Sequence, residues 1–321
     1  MTDKNWKRLH PIDDIAERSA SLQEMRRSIC SAIPCYPDTD AVREQLAKMS
    51  FNELLCRYMN WVDRVIAPRK REALIWEGFW SRGTPAKFAS SLNAIIDLSR
   101  EGENLKPFLS ERVDKIGFAP RDQKRRGINW GDKDRALNAY GVHHLHLKPV
   151  SQKGGRSGGS KELLFASFSR THMLLLMLGD HNSFDDGKVR QAVSDMMADN
   201  DRHIRGIEEP SRVVTSAEGA KLVIQGVNTF GASQGKFTMP TSITSSGAAT
   251  AHVRHADAIT IAIEDIDLKL QSSEGEDWIR HHVGDKMPRD PDWGWGLWYG
   301  DLFLVDRRTK RGVLCVTPWQ R

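Results

Sequence analysis

The chain has 321 residues, of which 39% are hydrophobic and 28% charged, and a formal net charge of +5. These proportions are typical of soluble globular proteins and exclude a chain that is disordered throughout. No run reaches the roughly 18 to 20 apolar residues of a membrane span, and the N-terminal MTDKNWKRLH lacks the apolar segment of a signal peptide. Four cysteines without CxxC spacing fit a reduced compartment. We therefore expect a soluble, cytoplasmic protein.

Residues 1–128 are predicted to form a helical region. Apolar residues between Ile12 and Ile29 recur at three- and four-residue steps among charged ones, which indicates one buried helical stripe. Ser50 and Glu53 have the spacing of a capping box and predict the start of another helix. The aromatic side chains of the segment LIWEGFW are expected to pack inside this helical bundle.

Residues 129–206 are predicted to form a central α+β unit: a short helix ending at Gly141, then three strands in an antiparallel meander. The strands are GVHHLHLK, ELLFASFSR and the very apolar HMLLLMLGDH. Because side chains alternate along a strand, the first strand places two sets on opposite faces: His144, His146 and Lys148 on one, His143, Leu145 and Leu147 on the other.

Residues 207–321 are predicted to be rich in strands. Four segments have strand-like composition: VVTSA, AKLVIQGVN, KFTMPTSIT and AHVRHADAITIAIEDIDLKLQ. A hairpin is expected around Arg307–Gly312, and the last thirty residues contain several tryptophans that suit a core or an interface: Trp293, Trp295, Trp298 and Trp319. The fold class is therefore α+β, with an N-terminal helical region, a central antiparallel sheet with histidine-rich strands and a strand-rich C-terminal region.

Positive charge is concentrated around the histidine-rich strands. Between Arg121 and Arg170, eleven Lys/Arg face four Asp/Glu, a net charge of +7, so the rest of the chain carries −2. Such a concentration attracts polyanions, although a solvated basic surface has the same pattern. The candidate nucleic-acid-binding residues are Arg121, Lys124, Arg125, Arg126, Lys153 and Arg156.

Five of the eleven histidines lie between Val142 and Phe184, and this concentration leaves two kinds of chemistry open. His144 and His146 could bind a metal ion together with His181 or Asp180. No HExxH or CxxC motif accompanies them, so the favoured interpretation has neither metal nor cofactor.

The second possibility is acid–base chemistry by imidazole, which titrates near neutral pH. Cleavage of RNA needs a base for the 2′-hydroxyl, an acid for the leaving oxygen and cations for the phosphate. We expect His144 or His146 to act as the general base and His181 as the general acid. Three basic residues are expected to hold the phosphate: Lys148, Arg156 and Arg170.

The order of elements between residues 130 and 184 resembles the core of RelE/ParE-like toxins. The matching residues run in three strands: His144-Leu145-His146-Leu147, Leu163-Leu164-Phe165 and Leu176-Met177-Leu178-Gly179-Asp180-His181. Two positions depart from the pattern, since Glu162 stands where these toxins usually have Arg and Phe184 where they often have Tyr. The resemblance implies a four-stranded, metal-independent toxin core that acts on mRNA or tRNA, or poisons gyrase, and is restrained by an antitoxin.

The leading hypothesis is therefore a ribonuclease-like toxin or phage-defence effector. Its expected partners are RNA and an antitoxin or regulatory protein, with no membrane. The alternative is a non-enzymatic nucleic-acid- or protein-binding module of a larger assembly, with the tryptophan-rich end as its interface.

Overall fold

The structure is a computed structural model that describes residues 11–121, 127–147, 161–206, 213–270, 273–284 and 291–318. Its α-helices are α1 (Pro11–Arg18), α2 (Ala20–Ala32), α3 (Asp40–Ala47), α4 (Phe51–Val62), α5 (Ala89–Glu101), α6 (Arg112–Lys115), α7 (Arg135–Tyr140), α8 (Lys188–Asp199), α9 (Ser216–Ile224), α10 (Thr250–Leu270) and α11 (Ser273–Val283). Its strands are β1 (Glu72–Ile75), β2 (His143–His146), β3 (Glu162–Phe168), β4 (His172–Asp180), β5 (Gly231–Ser233), β6 (Lys236–Thr238), β7 (Trp293–Trp298), β8 (Asp301–Asp306) and β9 (Gly312–Val316). The α+β class predicted from the sequence is confirmed.

The chain divides into two compact units. Unit 1 combines the two ends of the chain, residues 1–62 and 251–319, with a short piece at 117–120. Unit 2 is made mainly of residues 63–116 and 121–250. The three regions predicted from the sequence do not map one to one onto these units, since the N-terminal helical region contributes to both.

Unit 1 has a helical core and a three-stranded antiparallel sheet in the order β7-β8-β9. Helix α4 begins with the predicted signal, because Ser50 and Glu53 exchange the two hydrogen bonds of a capping box before it. The Thr39 hydroxyl caps α3 by accepting the Val42 N–H. The core joins both ends of the sequence, because Leu54 of α4 and Leu302 of β8 are buried in one cluster with Ile259 of α10. The turn between β8 and β9 confirms the predicted hairpin.

Two of the predicted C-terminal strands are helices. The segment 251–271 was expected to be extended, yet it lies almost wholly in α10. Its buried residues follow a helical period, as at Ile259, Ile263 and Ile266, and burial of this stripe outweighs the β-propensity of its isoleucines. The segment 220–228 likewise begins within α9, which starts at the Thr215 capping box.

Unit 2 is built around a four-stranded sheet in the order β1-β4-β3-β2. Strands β2, β3 and β4 form the expected antiparallel meander. The sheet is mixed rather than antiparallel throughout, because β1 pairs with β4 in parallel. Strand β1 comes from the segment that was predicted to pack in a helical bundle; Trp76 and Phe79 are indeed buried, whereas Trp80 is 59% exposed.

Each face of this sheet is covered by one long helix. On one face Leu145, Leu164 and Leu175 are buried with Ile95 of α5. On the other face Phe165 and Met177 are buried with Val189 and Val193 of α8. Cover on both sides explains why β4 has an uninterrupted apolar sequence. None of the helices in the described ranges combines the length and apolar character needed to cross a membrane.

Two isoleucines of α10 give a direct test of its helical assignment. Ile259 is fully buried and Ile261 is 64% exposed, whereas two residues this far apart on a strand would share a face. We expect Ile259→Ala to lower the free energy of unfolding by about 2–5 kcal/mol and Ile261→Ala to change it by less than about 0.5 kcal/mol in denaturant titrations. Equal effects of the two substitutions would contradict the helix.

Candidate active site

The short helix α7 and the strand β2 position the first two histidines. The Asp134 side chain caps α7 by accepting the Leu137 N–H at 3.1 Å, and Gly141 ends the helix with a left-handed φ of 69°. The chain then enters β2, where His144 and His146 lie opposite Phe165 and Leu163 of β3. Residues directly opposite each other share a face, so both histidines lie on the face that α8 covers.

His143 lies on the other face, as the alternation predicted. Its Nε2–H donates to the Asp63 carbonyl at 2.8 Å, and its ring packs edge-on against Phe168 with ring centres 5.1 Å apart. His143 is 4% exposed and is a packing residue.

A tight turn after β4 brings the third histidine back over the sheet. The Asp180 carboxylate accepts the N–H groups of Asn182 and Ser183, and the Ser183 hydroxyl accepts the Asp180 N–H, which closes a capping box. Gly179 permits this close approach, since a Cβ there would lie 2.5 Å from Ser183 Oγ. The turn residues His181–Phe184 therefore fold back onto the end of the sheet.

The structure brings His144, His146 and His181 together. Their ring centres are 6.4 Å apart for His144 and His146, 6.3 Å for His144 and His181, and 5.9 Å for His146 and His181. Phe184 packs within the same group, with its ring centre 5.2 Å from that of His144 and stacked on His181 at 6.1 Å. We call these three histidines the histidine triplet.

The members of the histidine triplet differ in exposure. His146 is 7% exposed, the His144 side chain is 16% exposed, and His181 is exposed. His181 therefore forms the surface of the group, with His144 and His146 beneath it. A ligand from solvent meets His181 first.

An ion pair sets the charge of His144. Its Nδ1 lies 3.2 Å from Asp134 Oδ2. Burial alone would lower the pKa of His144, but the charge and hydrogen bond of Asp134 outweigh burial and raise the pKa above its ordinary value. Burial would conversely raise the pKa of Asp134, yet His144 and the Leu137 N–H hold it well below its usual range. Asp134 thus favours the protonated form of His144.

An arginine lies beside the histidine triplet. The guanidinium carbon of Arg135 is 6.0 Å from the centre of the Phe184 ring, and one of its nitrogens pairs with Asp185 at 2.6 Å. Sequence reasoning did not select Asp134 or Arg135 as site residues. The detectable signal was spacing, because Asp134 and Arg135 lie at the start of the six-residue helix α7, which a single turn joins to the strand of His144.

The other predicted site residues are placed as follows. Arg170 lies in the turn between β3 and β4, at the opposite end of β4 from His181. Strand β4 has nine residues, so its two ends are about 30 Å apart. The structure therefore does not bring Arg170 to the histidine triplet. Arg121 is exposed and donates to the Gly127 carbonyl at 3.3 Å. Six predicted residues lie outside the described residues: Lys124, Arg125, Arg126, Lys148, Lys153 and Arg156.

Within the described ranges, no three His, Cys, Asp or Glu side chains are arranged to hold a metal ion. Comparisons with protein-family models, characterised proteins and solved structures found no match to this chain. The chemistry of the site therefore has to be argued from its own residues.

The ion pair predicts a change in the titration of His144. Asp134→Asn keeps a good helix cap but removes the charge, so we expect the pKa of His144 to fall when followed by NMR of the imidazole signals. A raised histidine pKa stabilises the fold below that pKa and ceases to do so as the pH rises through it. The loss of unfolding free energy in Asp134→Asn should therefore be larger at about pH 6 than at about pH 9.

Asp134→Ala is the matched comparison, because it removes the cap as well as the charge. It should cost about a further 1 kcal/mol at every pH. An unchanged pKa of His144 in Asp134→Asn would contradict the ion pair.

Proposed function

We propose that this chain is a ribonuclease-like toxin or phage-defence effector that cleaves RNA by histidine acid–base catalysis, without a metal ion. The observation that carries the proposal is the histidine triplet: two imidazoles from strand β2 and one from the turn after β4, with the protonated form of His144 favoured by Asp134. A protonated and a neutral imidazole within reach of one group are what this chemistry needs.

The reaction is an in-line transesterification. A neutral imidazole removes the proton of the 2′-hydroxyl, and the oxygen attacks the adjacent phosphorus. The bond from phosphorus to the 5′-oxygen breaks, and a protonated imidazole donates its proton to that leaving oxygen. The products are a 2′,3′-cyclic phosphate and a 5′-hydroxyl. With 6.3 Å between the ring centres of His144 and His181, one phosphate group can contact both rings.

The raised pKa of His144 suggests a division of roles opposite to the one expected from the sequence. A histidine with a raised pKa is protonated in a larger fraction of molecules at a given pH and can then donate that proton, so we assign His144 as the general acid. His181 is exposed and can reach the 2′-hydroxyl of a bound strand, so we assign it as the general base. His146, 5.9 Å from His181, contributes a third imidazole to the phosphate site.

The proposed substrate class follows from charge. The excess of Lys and Arg between residues 121 and 170 favours a polyanion, and the resemblance to RelE/ParE-like toxins points to mRNA or tRNA. The proposed compartment is therefore the cytoplasm, and the proposed partner is an antitoxin or regulatory protein that restrains cleavage.

Purified full-length protein should cleave RNA in the presence of EDTA. His144→Ala and His181→Ala should each reduce the rate by about a hundredfold to ten-thousandfold, the usual contribution of a general acid or base. His172→Ala is the matched control, since His172 lies on the same sheet at the far end of β4, with Nε2 3.6 Å from Glu72. It should cleave at the wild-type rate, as measured by gel electrophoresis of a labelled RNA.

Three outcomes would count against this proposal. Intact RNA would overturn the ribonuclease, and RNA that is bound but never cleaved would favour the non-enzymatic binding module. Cleavage that EDTA abolishes would favour a metal site at the histidines.

The pH profile of cleavage separates the two assignments of His144. If His144 is the acid, activity is lost as the pH rises through its pKa, and Asp134→Asn, which lowers that pKa, should move the alkaline limb of kcat/KM to lower pH. If His144 were instead the base, the acidic limb would move. A shift of the acidic limb alone would therefore reverse the roles.

A further inference from the structure

Strand β1 is one outer edge of the sheet of unit 2. The N–H groups of Glu72 and Trp76 donate to carbonyls of Thr171 and of β4, at 2.8 and 3.3 Å. Because backbone groups alternate along a strand, the N–H and C=O groups of Ala73 and Ile75 point away from β4. Within the described part of the chain, no other backbone group pairs with them, so this edge is open.

The side chains of β1 do little to protect this edge. Natural edge strands are usually protected by charges, by proline, by a bulge or by a covering element. The charged residue of β1, Glu72, stands at its start, whereas Leu74 and Ile75 are 40% and 41% exposed. Neither belongs to a buried cluster of the described residues. Open backbone groups beside exposed apolar side chains form a surface that another strand can extend.

The positions of the open backbone groups decide which strand fits. In an antiparallel ladder, pairs of opposite residues that exchange both hydrogen bonds alternate with pairs that exchange none. A second β1 that runs antiparallel, with its Leu74 opposite the first Leu74, places Ala73 of each copy opposite Ile75 of the other. Both open residues of each copy are then fully bonded. The ladder ends at Arg71, whose N–H already donates to the Ser99 carbonyl at 2.9 Å.

The charges on either side of β1 favour the same arrangement. Lys70 precedes the strand by two residues, Glu77 follows it by two, and both residues are exposed. In the antiparallel arrangement each end of one strand lies beside the opposite end of the other, so Lys70 of each copy approaches Glu77 of the other. A parallel second copy would place lysine beside lysine and glutamate beside glutamate, and like charges so placed are destabilising.

We propose that β1 is a dimer contact, at which a second copy of this chain extends the four-stranded sheet of unit 2 across a two-fold axis at Leu74. The occupant is a copy of the chain rather than another protein, because the open backbone groups and the flanking charges of β1 complement themselves. His144 and His146 lie on β2, at the opposite edge of the sheet, so the contact does not involve them. Dimer formation is therefore independent of RNA cleavage.

The first test is the mass of the full chain in solution. The contact is small, so we expect a dimer that forms and dissociates as the concentration changes. Analytical ultracentrifugation over a series from about 1 µM to about 1 mM covers the Kd of a weak complex. The expected result is a mass that rises from one chain to two. The mass of a single chain throughout the series would overturn the proposal.

Leu74→Lys places two like charges directly opposite each other on the two-fold axis, and it should weaken the dimer by about tenfold or more. Leu268→Lys is the matched control, because it makes the same replacement on α10, at a residue that is 66% exposed. This control should dimerise as the wild type does. A dimer that Leu74→Lys leaves unchanged would place the contact elsewhere and overturn the assignment to β1.

A mixture of two charge variants tests the antiparallel arrangement. In Lys70→Glu alone, and in Glu77→Lys alone, the side chains that meet carry like charges, so each variant should dimerise several-fold more weakly than the wild type. In an equal mixture, a chain of one variant meets a chain of the other with opposite charges at both places, and mixed dimers should form as strongly as the wild type. This recovery also shows that both variants are folded. A mixture no tighter than either variant alone would exclude the antiparallel pairing of β1.

Discussion

The ion pair between Asp134 and His144 is the interaction on which the rest of the site depends. A charge in a largely buried position is tolerated only where an opposite charge compensates it, and removing one partner of such a pair is strongly destabilising. Here each partner is placed by the end of a regular element, Asp134 by the first turn of α7 and His144 by β2. The local fold thereby places a carboxylate where it favours the protonated form of one of the three imidazoles.

The turn at the end of β4 sets the position of the third histidine. Its capping box holds His181 over the strands. Movement of this turn would therefore alter the distances from His181 to the other two rings. Gly179 is where this geometry is most sensitive, because Ser183 and Phe165 leave no space for a side chain there.

The sequence indicated which histidines share a face of the sheet, but not how distant segments pair around them. Strand alternation separated His143 from His144 and His146, since a period of two residues is a local property of the chain. The return of His181 could not be derived, because it depends on the register between β3 and β4 and on the space beside Gly179. The strand predicted at α10 was an error of another kind, because the helical spacing of Ile259, Ile263 and Ile266 is a local property of the sequence. Strand β1 was missed because its partner, β4, lies about a hundred residues further along.

The discontinuity of unit 1 has a consequence for biosynthesis. Unit 2, with the histidine triplet, lies between the two halves of unit 1 in the sequence. On the ribosome, nearly all of unit 2 has been made once Thr250 is added, whereas the core of unit 1 must wait for α10 and β8. Because domains generally fold as units during synthesis, the site-bearing unit can fold first. A nascent chain could thus carry a finished histidine triplet while the polypeptide is still attached to its own messenger RNA.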